Sequence, residues 1–127
     1  SIIGVGLIGG SFALDLKQHI PGIQITGIDQ NKTHLTEALT LGILDQIGDL
    51  NSLKHSDLVV LAIPVNAALE VLPEVLNLIS DQAVVIDMGS TKEAICKRRR
   101  HRTHAGRISS RMLAVGGQMQ SSCLQGR

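Results

Sequence analysis

The chain has 127 residues, enough for one compact domain and too few for two ordinary ones. Its net charge of +1 and its 43% apolar share exclude a disordered chain, and they give no general reason to expect a nucleic-acid or anionic-membrane partner. No apolar run approaches the roughly 18 to 20 residues that a membrane span needs. Only 1% of the residues are aromatic, so the core must be built from Ile, Leu, Val and Ala.

Short apolar runs alternate with helical patterns along the first three quarters of the chain. The strands are predicted, in chain order, at SIIG, ITGID, a weaker segment at 45–48, LVVLAI and AVVID. Helices are predicted at 7–18, at 31–41 with Asn31 as N-cap, Leu35 and Leu39 one turn apart and Gly42 at the C-terminus, and from Pro64 onward, with Pro73 breaking the last one into two. This βαβαβ alternation predicts an α/β fold with a doubly wound parallel sheet, a Rossmann-like fold.

Three glycines open the first helix at the spacing G-x-G-x-x-G, and Asp29 follows 20 residues beyond Gly9 at the end of the second strand. In this context Gly4 permits a tight turn, Gly6 lets the backbone approach a pyrophosphate, and Gly9 lets the helix pack close to the strand. The helix N-terminus favours phosphates, while the Asp29 carboxylate accepts hydrogen bonds from ribose hydroxyls and repels a 2′-phosphate. The pattern therefore predicts a dinucleotide site that prefers NAD over NADP.

Two later segments are expected at the same edge of the sheet. LAIPVN ends a strand where the strand order reverses, so its backbone is expected to face the crevice, although Pro64 also suits the start of a helix. Ser90 in DMGSTKEAI fits either a capping box with Glu93 or a hydroxyl beside the nicotinamide. The predicted cofactor-binding residues are Gly4, Gly6, Leu7, Ile8, Gly9, Asp29, Ala62, Ile63 and Pro64.

Charge divides the chain near Lys97. All 11 acidic residues lie at or before Glu93. Up to Lys97 five lysines oppose them, which leaves a balance of −6, whereas seven arginines and no acidic residue follow Lys97. Residues 98–127 are therefore expected to form a disordered basic tail rather than a nucleic-acid arm, because no aromatic residues are interleaved. His101 and His104 lack a third ligand, so no metal site is predicted.

Cys96 and Cys123 are too few for a disulfide framework and lack metal-ligand spacing. They indicate a reducing, cytoplasmic setting.

Several segments together resemble the nucleotide-binding domain of the prephenate dehydrogenase family: IIGVGLIGGSFALDLK, ITGIDQNKTHLTEALTLGILD, DLVVLAIPV, LPEVL and VVIDMGSTKEAI. The resemblance covers residues 1–97. It implies NAD-dependent oxidative decarboxylation of prephenate to 4-hydroxyphenylpyruvate in tyrosine biosynthesis. It also implies that Ser90, in the matching G-S-x-K turn, assists a catalytic histidine.

The sequence departs from that family after Lys97. The family continues through another strand to a His-Pro-x-x-Gly segment that carries the histidine; no His-Pro pair stands here, and neither His101 nor His104 matches it. The helical C-terminal domain, which in the family forms the homodimer and completes the prephenate pocket, is expected to be missing. We therefore expect an NAD-binding domain at 1–97 and a non-family tail at 98–127 arising from a frameshift, in a fragment that is inactive alone.

Three alternatives stay open at this point. An arogenate dehydrogenase differs on the substrate side. Another two-domain dehydrogenase shares the nucleotide-binding half, but DMGSTKEAI argues against it. A non-catalytic NAD-binding module would use the basic tail for an interaction, and salt-dependent binding of nucleic acid would favour it.

Overall fold

The computed structural model describes residues 1–89 and the backbone of residues 112–114. Within these residues six strands form one parallel sheet, in the order β3-β2-β1-β4-β5-β6. The strands are β1 (Ile2–Ile3), β2 (Thr26–Ile28), β3 (Gln46–Ile47), β4 (Leu58–Leu61), β5 (Val84–Asp87) and β6 (Met112–Ala114). The order reverses between β1 and β4, so the predicted doubly wound sheet is confirmed, including its weaker strand at 46–47.

Helices cover both faces of the sheet. They are α1 (Leu7–His19), α2 (Lys32–Thr40) and α3 (Val65–Leu78), with a 3-10 helix at Leu50–His55. Neighbouring strand residues point to opposite faces, which is why the chain forms two buried clusters. Ile3 and Leu61 pack with α3 and the 3-10 helix, whereas Ile2 and Val60 pack with α1 and α2.

The ends of α2 follow from the predicted capping residues. The Asn31 side chain accepts hydrogen bonds from the N–H groups of Thr33 (3.0 Å) and His34 (3.4 Å), and Gly42 has φ +73° just after the helix. Leu35 and Leu39 lie one turn apart in α2, as predicted. Leu35 and Ala38 are buried, whereas Leu39 is exposed.

The prediction that Pro73 breaks the third helix is wrong, because α3 continues through it from Val65 to Leu78. Pro73 lies on the exposed side, so water can hydrate the carbonyl that its missing N–H leaves unpaired. Leu72 and Val75, on either side of it, are buried in the core and hold both halves of the helix on the sheet. Pro64 is the N-cap, so α3 begins one residue later than predicted.

β6 extends the sheet beyond β5, with Val85 paired to Met112 and Asp87 to Ala114. This strand lies within the basic segment that begins at Arg98. The possible capping box of Ser90 and Glu93 lies outside the described residues.

Candidate nucleotide-binding site

The candidate site lies at the carboxyl ends of β1 and β4, the two strands between which the sheet order reverses. Ligands of doubly wound sheets bind in the crevice at this position. Three hydrogen bonds fix it: Gly4 N–H donates to the Ile28 carbonyl (2.8 Å), Ala62 N–H to the Ile3 carbonyl (2.8 Å), and Met88 N–H to the Leu61 carbonyl (2.9 Å). The chain leaves all four central strands at one edge of the sheet.

Gly4 makes the turn out of β1. Its φ is +94°, a conformation that L side chains rarely adopt, and a Cβ there would collide with the Ala62 carbonyl and the Ile63 side chain. The glycine loop is therefore packed directly against the end of β4. This contact brings two of the predicted segments, the glycines and LAIPVN, together.

Gly9 is tightly packed, whereas Gly6 faces open space. A Cβ at Gly9 would run into the Gly4 carbonyl oxygen, so α1 can start this close to β1 only with glycine there. A Cβ at Gly6 would meet no atom within 4 Å, which leaves the space over the loop open. Gly6 is the N-cap of α1 and provides no side-chain cap, so the first N–H groups of the helix have no capping partner there.

Large apolar side chains stand exposed at the start of α1. Leu7 is 89% exposed and Ile8 is 59% exposed, next to the uncapped helix end. Pro64 is also exposed, whereas Ala62 and Ile63 are partly buried. The glycine loop and the segment that follows β4 thus lie next to each other at the carboxyl end of the sheet.

Asp29 lies directly after β2 and beside the glycine loop. Its Oδ2 accepts a hydrogen bond from the N–H of Val5 (2.8 Å), and its Oδ1 accepts one from the N–H of Asn31 (2.8 Å). The side chain is 17% exposed, and Nδ1 of His34 lies 4.0 Å from Oδ2. Since a carboxylate has about four acceptor positions, two remain for further donors.

Asp87 is a residue at this edge that the sequence analysis did not single out. It ends β5, is fully buried, and accepts a hydrogen bond from the N–H of Gly89 (3.1 Å) through Oδ1. Asp29 makes the same i to i+2 bond to Asn31. The available signal was the repeated ending Ile-Asp in ITGID and AVVID. Ser90 itself lies outside the described residues.

The part of the chain that the structure describes contains neither a membrane-spanning helix nor a cluster of metal-binding side chains. No helix there is long and apolar enough to cross a membrane. No group of three or more His, Cys, Asp or Glu side chains within the same residues is arranged to hold a metal ion.

Residues 12–118 match the family model of the prephenate dehydrogenase nucleotide-binding domain. The chain belongs to this family. The match runs well into the basic segment that begins at Arg98. A prephenate dehydrogenase of Bacillus subtilis (strain 168) is 37% identical over 97 residues, which are 74% of this chain and 26% of that protein.

Two solved structures have similar folds. Prephenate dehydrogenase from A. aeolicus, in complex with hydroxyphenyl propionate and NAD+, matches with a TM-score of 0.75 and 30% identity, over 89% of this chain and 39% of that one. Synechocystis arogenate dehydrogenase matches with a TM-score of 0.70 and 30% identity, over 76% of this chain and 34% of that one. The chain thus spans about a quarter of the length of the Bacillus subtilis relative and less than half of the length of either solved structure.

Proposed function

We propose that this chain is the NAD-binding part of a dehydrogenase that converts prephenate to 4-hydroxyphenylpyruvate by oxidative decarboxylation. Family membership supports the reaction, and the NAD+ complex of the A. aeolicus relative supports the cofactor. One observation carries the choice of NAD: the Asp29 carboxylate lies beside the glycine loop, with no Lys or Arg partner within 4 Å among the described residues. Its charge would repel a 2′-phosphate.

Each part of the crevice has a proposed role in holding the dinucleotide. The uncapped first turn of α1, from Leu7 to Gly9, would bind the pyrophosphate through its N–H groups. Asp29 would accept hydrogen bonds from the ribose hydroxyls through its two open acceptor positions. Ala62, Ile63 and Pro64 would line the crevice. When bound, NAD would accept the hydride from the substrate. We propose that Ser90 assists the reaction on the substrate side.

The prephenate pocket is proposed to lie in the part of the relatives that this chain does not span. The chain covers 26% of the Bacillus subtilis relative, and no His-Pro-x-x-Gly segment is present in it. We expect the 127-residue chain to bind NAD and to turn over no prephenate. NADH formation from prephenate, followed by absorbance, would contradict this if it exceeded the rate without protein.

Calorimetric titration of the chain with NAD and with NADP tests the cofactor assignment. We expect NAD to bind at least about tenfold more tightly, because a like charge beside the 2′-phosphate is unfavourable. Asp29→Asn removes that charge while keeping the side-chain shape, and it should reduce the ratio of the two dissociation constants. Asp15→Asn, on the exposed side of α1, is the matched control and should leave the ratio unchanged. Equal affinity of the parent chain for both cofactors would refute the role of Asp29.

Arogenate dehydrogenation is a second candidate function, because the Synechocystis arogenate dehydrogenase is as identical to this chain as the prephenate dehydrogenase structure is. The substrates differ in a group outside the nucleotide site. The DNA beyond the codon for Lys97, read in all three frames for His-Pro-x-x-Gly, shows which longer protein to assay with both substrates. Homodimer formation is likewise a proposal for that longer protein.

A further inference from the structure

We propose that Asp29 is also a positioning residue: its carboxylate holds the N–H of Val5 and thereby fixes the glycine loop on which the pyrophosphate would lie. This inference rests on the proposed function and deepens it. In the proposed NAD site Asp29 acts on the ribose alone. The contacts around Val5 give the same side chain a second role, which is to hold the loop that would bind the pyrophosphate.

The backbone pairing of β1 with β2 ends at Gly4. Ile3 pairs with Ile28, and the N–H of Gly4 still donates to the Ile28 carbonyl (2.8 Å). At Gly4 the chain turns away with φ +94°, and the next N–H, that of Val5, donates to Oδ2 of Asp29 (2.8 Å). A side chain thus makes the last hydrogen bond between β2 and the strand that carries the loop.

Without the Asp29 carboxylate, the N–H of Val5 would lose its hydrogen-bond acceptor. Val5 is 6% exposed and packs in the cluster that α1 and α2 cover, so its N–H has little access to water. A buried N–H group without an acceptor is costly. The loop would therefore shift to satisfy it. Because Gly4 and Gly9 tolerate no added atom against their neighbours, a shift at Val5 would disturb the start of α1.

Asp29 can hold the N–H of Val5 and bind the ribose at the same time. Val5 uses one position on Oδ2, and Asn31 uses one on Oδ1. Each oxygen keeps a second lone pair, and the side chain stays 17% exposed. A ribose diol can therefore bind without displacing either backbone group.

The experiment separates the two tasks by removing the diol from the ligand. ADP and 2′,3′-dideoxyadenosine 5′-diphosphate are titrated calorimetrically against the 127-residue chain and its Asp29→Asn and Asp29→Ala variants. Asp45→Ala is the matched control, because Asp45 also accepts a backbone N–H, that of Ile25 (2.7 Å), at the opposite end of β2. Circular dichroism at the titration temperature confirms that each variant is folded.

We expect Asp29→Ala to weaken binding of the dideoxy ligand about tenfold, although that ligand has no hydroxyls for Asp29 to bind. Asp29→Asn should be intermediate, since its single oxygen can accept from only one of the two N–H groups. Asp45→Ala should bind both ligands like the parent. Unchanged affinity of Asp29→Ala for the dideoxy ligand, with ADP weakened, would overturn the positioning role and leave the ribose role standing. Failure of the parent to bind either ligand would contradict the proposed function itself.

Amide hydrogen exchange provides a readout without ligand, and it covers the case in which Asp29→Ala does not fold. The Val5 amide should exchange slowly in the parent and at least about tenfold faster in Asp29→Ala. In Asp29→Asn the single oxygen can accept from Val5 or from Asn31 but not from both, so the Val5 amide should exchange faster than in the parent and more slowly than in Asp29→Ala. The Ala62 amide, which donates to the Ile3 carbonyl (2.8 Å), is the internal control and should stay protected. Equal protection of Val5 in parent and variant would contradict the hydrogen bond's role.

Discussion

The two ends of β2 use the same chemistry for different purposes. Before the strand, Oδ2 of Asp45 accepts the N–H of Ile25 (2.7 Å); after it, Oδ2 of Asp29 accepts the N–H of Val5 (2.8 Å). Asp45 also bonds to Nζ of Lys17 at 2.8 Å, whereas Asp29 has only Nδ1 of His34, at 4.0 Å, as a basic neighbour among the described residues. The first carboxylate is paired with a lysine within the fold, whereas the second has no Lys or Arg partner among the described residues and has two open acceptor positions.

Helix α1 shows the same contrast, because it runs from one edge of the sheet to the other. Its first turn has no side-chain cap, and the space next to Gly6 is open. Near its other end, Lys17 donates to the Gly42 carbonyl (2.8 Å) as well as to Asp45. Among the described residues, the amino edge is therefore closed by protein groups, while polar groups of α1 and Asp29 at the carboxyl edge have no protein partner for some of their hydrogen-bonding positions.

The largest effect on the carboxyl edge is expected from Gly9→Ala. The new Cβ would strike the Gly4 carbonyl, and we expect destabilisation of about 1–3 kcal/mol or more. Gly10→Ala is the matched control one residue away. Its Cβ meets nothing within 4 Å, so the higher helix propensity of alanine should stabilise the chain by up to about 1 kcal/mol. Urea unfolding of both variants measures this, and effects of the same sign would refute the packing described for Gly9.

Asp87→Ala should have the next largest effect. It removes a fully buried acceptor and leaves the N–H of Gly89 without that partner, which is expected to cost about 1–3 kcal/mol. The control Asp15→Ala, on the exposed side of α1, should change the free energy of unfolding by less than about 0.5 kcal/mol. Urea unfolding at pH 7 compares them. An Asp87 variant as stable as the Asp15 variant would show that the end of β5 does not depend on this carboxylate.

The smallest effect on the free energy of unfolding is expected at the amino edge of the sheet, from Asp45→Asn. The hydrogen bond from Lys17, followed by that from the Ile25 N–H, lowers the pKa of Asp45 below its ordinary value of about 3.9. Because the pKa is lower in the folded state than in the unfolded state, the ionised Asp45 stabilises the folded state at pH values above the ordinary pKa. This stabilisation is lost as the pH falls through the lowered pKa. We expect Asp45→Asn to cost about 1 kcal/mol or less at pH 7.

The pH dependence of that cost is the check. Thermal unfolding of parent and Asp45→Asn should differ most above about pH 4, and the two melting temperatures should converge as the pH falls below it. A difference that persists unchanged at pH 2 would mean that the ionised Asp45–Lys17 pair is not its source.

Much of the fold could be predicted because local signals and burial agree. The apolar runs that became β2, β4 and β5 are bounded by turn residues, and Asn31 and Gly42 mark the ends of α2. The rule that proline ends a helix failed at Pro73 because the packing of Leu72 and Val75 outweighed the local cost. Tertiary contacts decide such cases, and the sequence alone does not display them.

The candidate site was predicted in part for the same reason. The glycine spacing and Asp29 indicate a dinucleotide site, because each residue type has a defined task at that position. The hydrogen bond from Val5 to Asp29 could not be predicted, since it joins residues 24 positions apart and depends on the register of β1 against β2. Burial of Asp87 likewise depends on β5 being covered by neighbouring elements. The position of Ser90 stays a prediction.

An NMR titration of the 127-residue chain with NAD tests the contrast between the two edges most directly. We predict that amide shifts change at residues 6–9, at Asp29 and at Ala62 and Ile63, while Gly42 and Asp45 at the amino edge stay unchanged. Shift changes centred on Gly42 and Asp45, or none at any amide at millimolar NAD, would contradict the account.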